Sequence, residues 1–249
     1  MANYTTRLGR DASDAAQWGT KAGNLLGAAE IDYVSSELNN RFAPAAFDVT
    51  RATTATRVNP SGLIEEVQAN VPRVDYLNST KGELLVEPQR TNLVTYSEQF
   101  DNAAWTKHSA GTGSAPVVTA NAGVAPDGTS NADRIQFDRG AGTSGADASF
   151  INQPLSSLSN PHTSTISVYI KSNTGSNQEL SLYSQGSSIL AVTATTEWQR
   201  FEVTATRSAT TDYLRIGLLG DQDPQTAVFL VWGAQFEEGS YPTSYIPTV

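Results

Sequence analysis

The chain has 249 residues, a net charge of −9 at neutral pH and no cysteine. That charge argues against a nucleic-acid backbone as partner, because binding phosphates needs clustered Lys and Arg, and the missing thiols exclude disulfides and thiolate metal sites. Only 16% of residues are charged against 39% hydrophobic, so most polarity comes from Ser, Thr, Asn, Gln and Gly, the mixture of solvent-facing strands and turns.

The length suits one large β-domain with an appendage, or two modest domains. Residues 1–46 are Ala-rich. Within them Ile31, Val34, Leu38 and Phe42 recur at three- and four-residue steps, which predicts a short amphipathic helix that Pro44 stops. Its apolar stripe must be buried, either on a neighbouring subunit or docking partner or back on the chain's own β-domain. Residues 47–83 read as an extended connector. Val49, Arg51, Thr53, Ala55 and Arg57 precede a strong turn signal, Asn59–Pro60–Ser61–Gly62, after which Leu63, Ile64 and Val67 complete a predicted hairpin. Val71 to Tyr76 resume an extended path, and a second turn spans Asn78 to Gly82.

From Leu84 to Val249 the pattern is all-β. Ile166, Val168 and Ile170 alternate with polar residues, as do Phe201, Val203 and Ala205, then Leu214, Ile216 and Leu218. The longest run is Val228, Leu230, Trp232, Ala234 and Phe236. Turn clusters separate these runs at Asn173 to Gln178, Ser184 to Ser188 and Gly220 to Gln225. One apolar and one mixed face per strand, without intervening helices, predicts an antiparallel β-sandwich. The expected fold class is therefore mainly β, with a short helical and extended N-terminal arm. No apolar run reaches signal-peptide or membrane-spanning length, so synthesis in the cytoplasm without membrane insertion is expected.

Two segments carry a family resemblance. The first is Glu87 to Leu93, EPQRTNL, followed by SEQFDNAAW from Ser97 to Trp105; the second is WGAQFEEG from Trp232 to Gly239, continuing as YPTSYIPT to Thr248. Together they resemble bacteriophage virion proteins of the tail-fibre or minor structural type, which carry a jelly roll like the carbohydrate-binding modules of glycoside hydrolases. The likeness spans residues 47–249. It implies a jelly roll whose first and last strands lie together, and a non-enzymatic tail-fibre or tail-associated adhesin presenting a lectin-like sandwich to a host-surface glycan. A capsid decoration or head-fibre protein is the alternative, and a polysaccharide-degrading tail enzyme the second. The resemblance further implies contacts with other virion proteins, a homo-oligomer expected to be a trimer, and a place on the phage particle after synthesis in the host bacterium.

Candidate chemistry is sparse. A Ser-His arrangement needs a base oriented by a third group, but only His108 and His162 occur, both in turn-like polar contexts, and no Gly-x-Ser-x-Gly elbow exists. Adjacent carboxylates, Glu65 with Glu66 and Glu237 with Glu238, point to opposite faces of a strand and cannot cooperate in glycoside cleavage. No cofactor is required. A structural calcium, which such jelly rolls often carry, would find oxygen ligands in the loop Asp127, Asn131 and Asp133, with Asp221 and Asp223 as a second cluster; solvated turn acids are the competing reading. The Gly-rich Arg139 to Gly145 lacks the Lys and Ser/Thr of a phosphate loop and reads as a surface loop. For sugar stacking, Trp232 falls in phase with Leu230 and Phe236 and reads as core, and Trp105 and Trp198 read as packing residues. Tyr169 and Tyr183, opposite Ile170 and Leu182, remain as the candidate exposed aromatics.

Overall fold

The structure is a computed structural model, described here over residues 49–142, 144–185, 189–219 and 224–249. The predicted helix with Ile31, Val34, Leu38 and Phe42, and the Asp221 and Asp223 cluster, lie outside the described residues. The chain divides into two compact units between Glu87 and Pro88.

In the first unit, β1 (Ala55–Val58) pairs antiparallel with β2 (Ile64–Val67) in the register Val58 to Ile64, the hairpin expected from the Asn-Pro-Ser-Gly turn. Asn59 builds that turn: its Oδ1 accepts the amides of Ser61 and Leu63 at 2.9 and 3.0 Å, while Gly62 takes the positive φ of 79°. Across the hairpin Arg57 bonds Glu65 at 2.7 Å. A second, shorter pair joins β3 (Val74–Asp75) to β4 (Glu83–Leu84), so Leu84 belongs with this unit. Asp75 ties the two hairpins by accepting the Val58 amide at 2.6 Å.

The second unit holds ten strands: β5 (Thr106–Ala110), β6 (Ser114–Gly123), β7 (Ala132–Asp138), β8 (Ala148–Ser156), β9 (His162–Ser172), β10 (Gln178–Ser184), β11 (Leu190–Ala194), β12 (Gln199–Arg207), β13 (Thr211–Leu219) and β14 (Thr226–Glu238). They form two five-stranded antiparallel sheets, a front sheet in the order β11-β10-β13-β8-β5 and a back sheet in the order β12-β9-β14-β7-β6. From β7 onward the chain changes sheet at every connection except β10 to β11, so sequence neighbours face each other across the core. This is an antiparallel β-sandwich of the jelly-roll kind. Ile166, Val168 and Ile170 from the back meet Leu214, Ile216 and Leu218 from the front, all fully buried. Each such side chain contributes about 1.5–3 kcal/mol by leaving water.

Strand β14 departs from the expected phase. Its register on β9 slips between Trp232 and Gln235, where Gly233 takes a φ of 62°, so one extra residue sits in β14 as a bulge. Before the bulge Ala227, Phe229 and Val231 face the core; after it Ala234 and Phe236 do. The run Val228, Leu230, Trp232, Ala234 and Phe236 therefore does not line one face. Trp232 is buried, but on the outside of the back sheet.

The opening segment lies beside β14, although it adopts no regular strand. The Leu93 amide donates to the Phe236 carbonyl at 2.8 Å, and Arg90 donates to the Glu238 carbonyl. Asn92 is the buried hinge of this contact. Its Oδ1 accepts the amides of Phe236 and Val94, and its Nδ2 donates to the carbonyls of Ala234 and Ile246, satisfying the backbone that the bulge frees.

Candidate functional site

The back sheet's outer face is closed by the chain's own C-terminal tail. The Glu237 carboxylate accepts the Thr243 amide at 2.9 Å and the Thr243 hydroxyl, Gln235 accepts the Ile246 amide at 2.7 Å, and Arg200 donates to the Thr243 carbonyl at 2.8 Å. Tyr245 packs at a tilt of 50° against Trp232, with ring centroids 4.4 Å apart. Tyr169 belongs to this cluster: it packs edge-on to both Trp232 and Tyr245 and carries the Arg200 guanidinium over its ring. The structure thus engages Tyr169 in holding the tail, on the opposite sheet from Tyr183.

Tyr183 sits on the front sheet's outer face, where no segment of this kind crosses among the described residues. Strand pairing sets the layout. One cross-strand row runs Tyr183, Arg215, Asn152, Thr106, and the next runs Ser181, Gly217, Phe150, His108. Tyr213 lies two residues from Arg215 on β13, on the same face. The result is an aromatic platform around one cation. The Arg215 guanidinium lies 4.0 Å from the Phe150 ring centre, 4.5 Å from Tyr213 and 5.6 Å from Tyr183. His108 stacks on the far side of the group, 5.2 Å from Phe150 at 21°, with its Nε2 2.9 Å from the Thr106 hydroxyl.

Two features shape the platform. Gly217 has no side chain, and a Cβ there would lie 2.3 Å from the Ser149 carbonyl and 2.5 Å from Phe150 Cα and Cβ, so glycine is what allows β8 to run this close to β13 at Phe150. Tyr213 packs at a tilt on Tyr183, ring centroids 5.5 Å apart, and its phenol is pushed up to about 12 by burial first and then by the neighbouring Tyr183, which keeps it neutral at physiological pH. Two polar atoms on this face are buried without a protein partner, Arg215 Nε and Asn152 Oδ1. The chemistry on offer is ring faces, a cation with free donors and an amide oxygen, which together suit a ring that is apolar on its faces and polar at its edge.

The sequence nominated one member of this group, Tyr183, and missed Phe150, Asn152, Tyr213, Arg215 and His108. Tyr213 and Arg215 alternate with Leu214 just as Tyr183 alternates with Leu182, so the same signal was present for them. His108 lies in β5 and is exposed, whereas His162 is not turn-like: it opens β9, is fully buried and faces Asp212 at 3.4 Å. Its Nδ1 contacts the carbonyls of Ser159 and Ala209, so both ring nitrogens already face acceptors and neither is placed to take a proton from a nucleophile. The paired acids are likewise occupied. Glu65 bonds Arg57 and Asn59, Glu238 bonds Ser159, and Glu237 holds the tail.

The residues expected to hold calcium serve other partners. Asp133 is buried, and its two oxygens accept the amides of Phe100 and Asn121 at 2.7 and 2.9 Å, fixing the loops on either side. Burial raises its pKa against the pull of those amides. Asp127 folds its own turn by accepting the Thr129 amide and hydroxyl, and Asn131 donates to Glu98 at 2.7 Å. A hard cation needs six to eight convergent oxygens. Among the described residues no cluster of three or more His, Asp or Glu side chains could hold a metal ion.

No protein-family model matches the chain, and no curated protein does. Solved structures do. A carbohydrate-binding module of family 61 in complex with β-1,4-galactotriose is 14% identical with a TM-score of 0.41, covering 60% of this chain and 99% of its own. The CBM22-1 xylan-binding domain from Paenibacillus barcinonensis Xyn10C is also 14% identical, with a TM-score of 0.41, and covers 63% of this chain and all of its own. The enzymatically active domain of bacteriophage CBA120 tailspike protein 4 is 11% identical with a TM-score of 0.37, covering 58% of this chain but 21% of the tailspike. The chain's neighbours in structure are thus carbohydrate-binding modules and a phage tailspike, at low identity.

Proposed function

We propose that this chain is a non-enzymatic virion protein whose front sheet binds a glycan on the host surface. The observation that carries the reading is the Phe150, Tyr213, Tyr183 and Arg215 platform, an aromatic cluster around a cation with hydrogen-bonding groups at its rim and, among the described residues, no segment crossing it. Pyranose rings stack on aromatic faces while neighbouring donors and acceptors take their hydroxyls. The likeness of the Glu87 to Trp105 and Trp232 to Thr248 segments to phage tail-fibre and minor structural proteins supports a place on the particle. In that setting several copies, a trimer in the simplest case, add weak contacts into firm attachment through high effective concentration. The engaged nitrogens of His162 and the occupied acid pairs support binding without turnover.

The test is direct binding of purified protein to capsular and lipopolysaccharide preparations by affinity electrophoresis. The double variant Phe150→Ala with Tyr213→Ala, if its melting temperature shows it folded, should lose affinity by about tenfold or more, given about 0.5–1.5 kcal/mol per aromatic contact beyond area burial. Full binding by that variant would move the site elsewhere. Release of reducing ends from the polysaccharide would replace the adhesin with an enzyme.

A further inference from the structure

Arg215 is set apart by what holds it. Two ion pairs among the described residues join an arginine to a carboxylate, Arg57 with Glu65 and Arg73 with Glu87, and Arg215, like Arg90, Arg134 and Arg200, is in neither. Three rings hold it instead. A guanidinium 4.0 Å from a ring centre is attracted by the ring's π face and commits none of its N–H donors to it. Its Nε is buried and unpaired, and the residue directly opposite on β8, Asn152, is 9% exposed with its Oδ1 equally unpaired. Leaving a buried donor and acceptor unmet costs about 1–3 kcal/mol each, which a ligand supplying both would recover.

The other charges on this face do not serve the cation. Glu179 shares the outward side of β10 but lies four residues from Tyr183, about 13 Å along the strand. Asp212 points inward to His162, and Lys107 donates to the carbonyls of Asp101 and Asn102 at the turn before β5. In a chain of net charge −9, an arginine preorganised by aromatics and left without a carboxylate among the described residues is a site for an external one.

We propose that the front sheet selects an acidic glycan: a pyranose packed against the Phe150, Tyr213 and Tyr183 cluster with its oxyanion substituent held by the Arg215 fork and a hydroxyl bridging Arg215 Nε and Asn152 Oδ1. This rests on the glycan-binding reading above and narrows it. A planar carboxylate, as in uronic acids, matches the fork in two parallel hydrogen bonds; phosphate and sulfate esters offer the same oxyanion chemistry.

The experiment is an array of neutral, uronate-bearing, phosphorylated and sulfated bacterial polysaccharides probed with the full chain, followed by titration of the strongest binder. Acidic polysaccharides should dominate the bound set, and the uronate and phosphate arms tell which oxyanion is read. Reducing the carboxyl groups of a bound uronate polysaccharide to alcohols, or removing the phosphate of a bound phosphorylated one, should weaken binding by about tenfold or more. Arg215→Lys keeps the charge and loses the fork, so it should weaken the acidic glycan by about tenfold and leave the melting temperature close to that of the parent. A bound set of neutral polysaccharides, or an affinity that ignores both carboxyl reduction and Arg215→Lys, would overturn the acidic preference while leaving glycan binding standing. Failure to bind any polysaccharide would remove the glycan reading itself, and binding that survives Phe150→Ala with Tyr213→Ala would move the site off the front sheet and overturn the Arg215 assignment with it.

Discussion

The two outer faces of this sandwich are built from similar side chains and put to opposite uses. On the back sheet Tyr169, Trp232 and Arg200 lie under the tail of Thr243 to Thr248, which bonds Arg200, Gln235 and Val94, although Arg200 Nε and Trp232 Nε1 keep no hydrogen-bond partner among the described residues. On the front sheet Tyr183, Tyr213, Phe150 and Arg215 repeat the aromatic and arginine combination with no tail above them among the described residues, and Arg215 Nε and Asn152 Oδ1 there are likewise unmet. An aromatic next to an arginine is therefore not a binding signature by itself. What separates structure from site is whether the chain supplies its own ligand, and on the back sheet it does.

The sharpest way to break the comparison is at Asn92, which organises the sealed face. Asn92→Ala removes four hydrogen bonds of a buried amide and strands the Phe236 amide and the Ala234 carbonyl next to the bulge. Losses of this kind add to about 3–5 kcal/mol, and at about 2–4 °C per kcal/mol the melting temperature should fall by roughly 10 °C or more. Glycan affinity measured well below the melt should stay within about twofold of the parent, since the front sheet is untouched. A fall of a degree or two in melting temperature would show that Asn92 is not the hinge.

Gly217 gives the converse experiment, on the open face. Gly217→Ala places a methyl against the Ser149 carbonyl and Phe150, which forces Phe150 or β8 to shift. Overpacking of this sort costs about 1–3 kcal/mol. The expected outcome is a smaller thermal loss than Asn92→Ala but a larger loss of glycan affinity, because the ring beside Arg215 moves. Equal affinity in the variant would mean that the position of Phe150 does not matter to the ligand.

These contrasts also explain what the residues disclosed in advance. The alternations Ile166 to Ile170 and Leu214 to Leu218 were legible because each strand is apolar on the core side and polar outside. In β14 the pattern misled, since Gly233 inserts one residue and exchanges the faces midway. In β8 the polarity is reversed: Phe150 points outward, while the inward Gln153 is accommodated by bonds to the Thr95 amide and carbonyl at 2.7 and 2.9 Å. Alternation cannot reveal a platform residue whose inward neighbour is polar. Nor can it distinguish Tyr169 from Tyr183, because the tail that covers one of them arrives from some 75 residues away in sequence.

The mildest test concerns the seam where tail and loops meet at Glu98. Its carboxylate accepts the Tyr245 hydroxyl at 2.8 Å and the Asn131 amide at 2.7 Å. Burial raises its pKa, more than the Tyr245 bond lowers it, and burial beside Glu98 in turn keeps Tyr245 well above the ordinary tyrosine range and neutral. A carboxyl whose folded pKa lies above its unfolded value binds its proton more tightly in the folded state. Its contribution is therefore complete below the ordinary carboxylate range and is lost as pH rises through the folded value. Glu98→Gln removes that titration and preserves the geometry: its carbonyl still accepts from Tyr245, and its amide donates to Asn131 once that side chain turns its buried, unpaired Oδ1 inward. Melting curves from about pH 4 to pH 7 should show the parent losing ground steadily to the Gln variant as pH rises, whereas parallel curves would mean that Glu98 is solvated enough to titrate as it does in the unfolded chain.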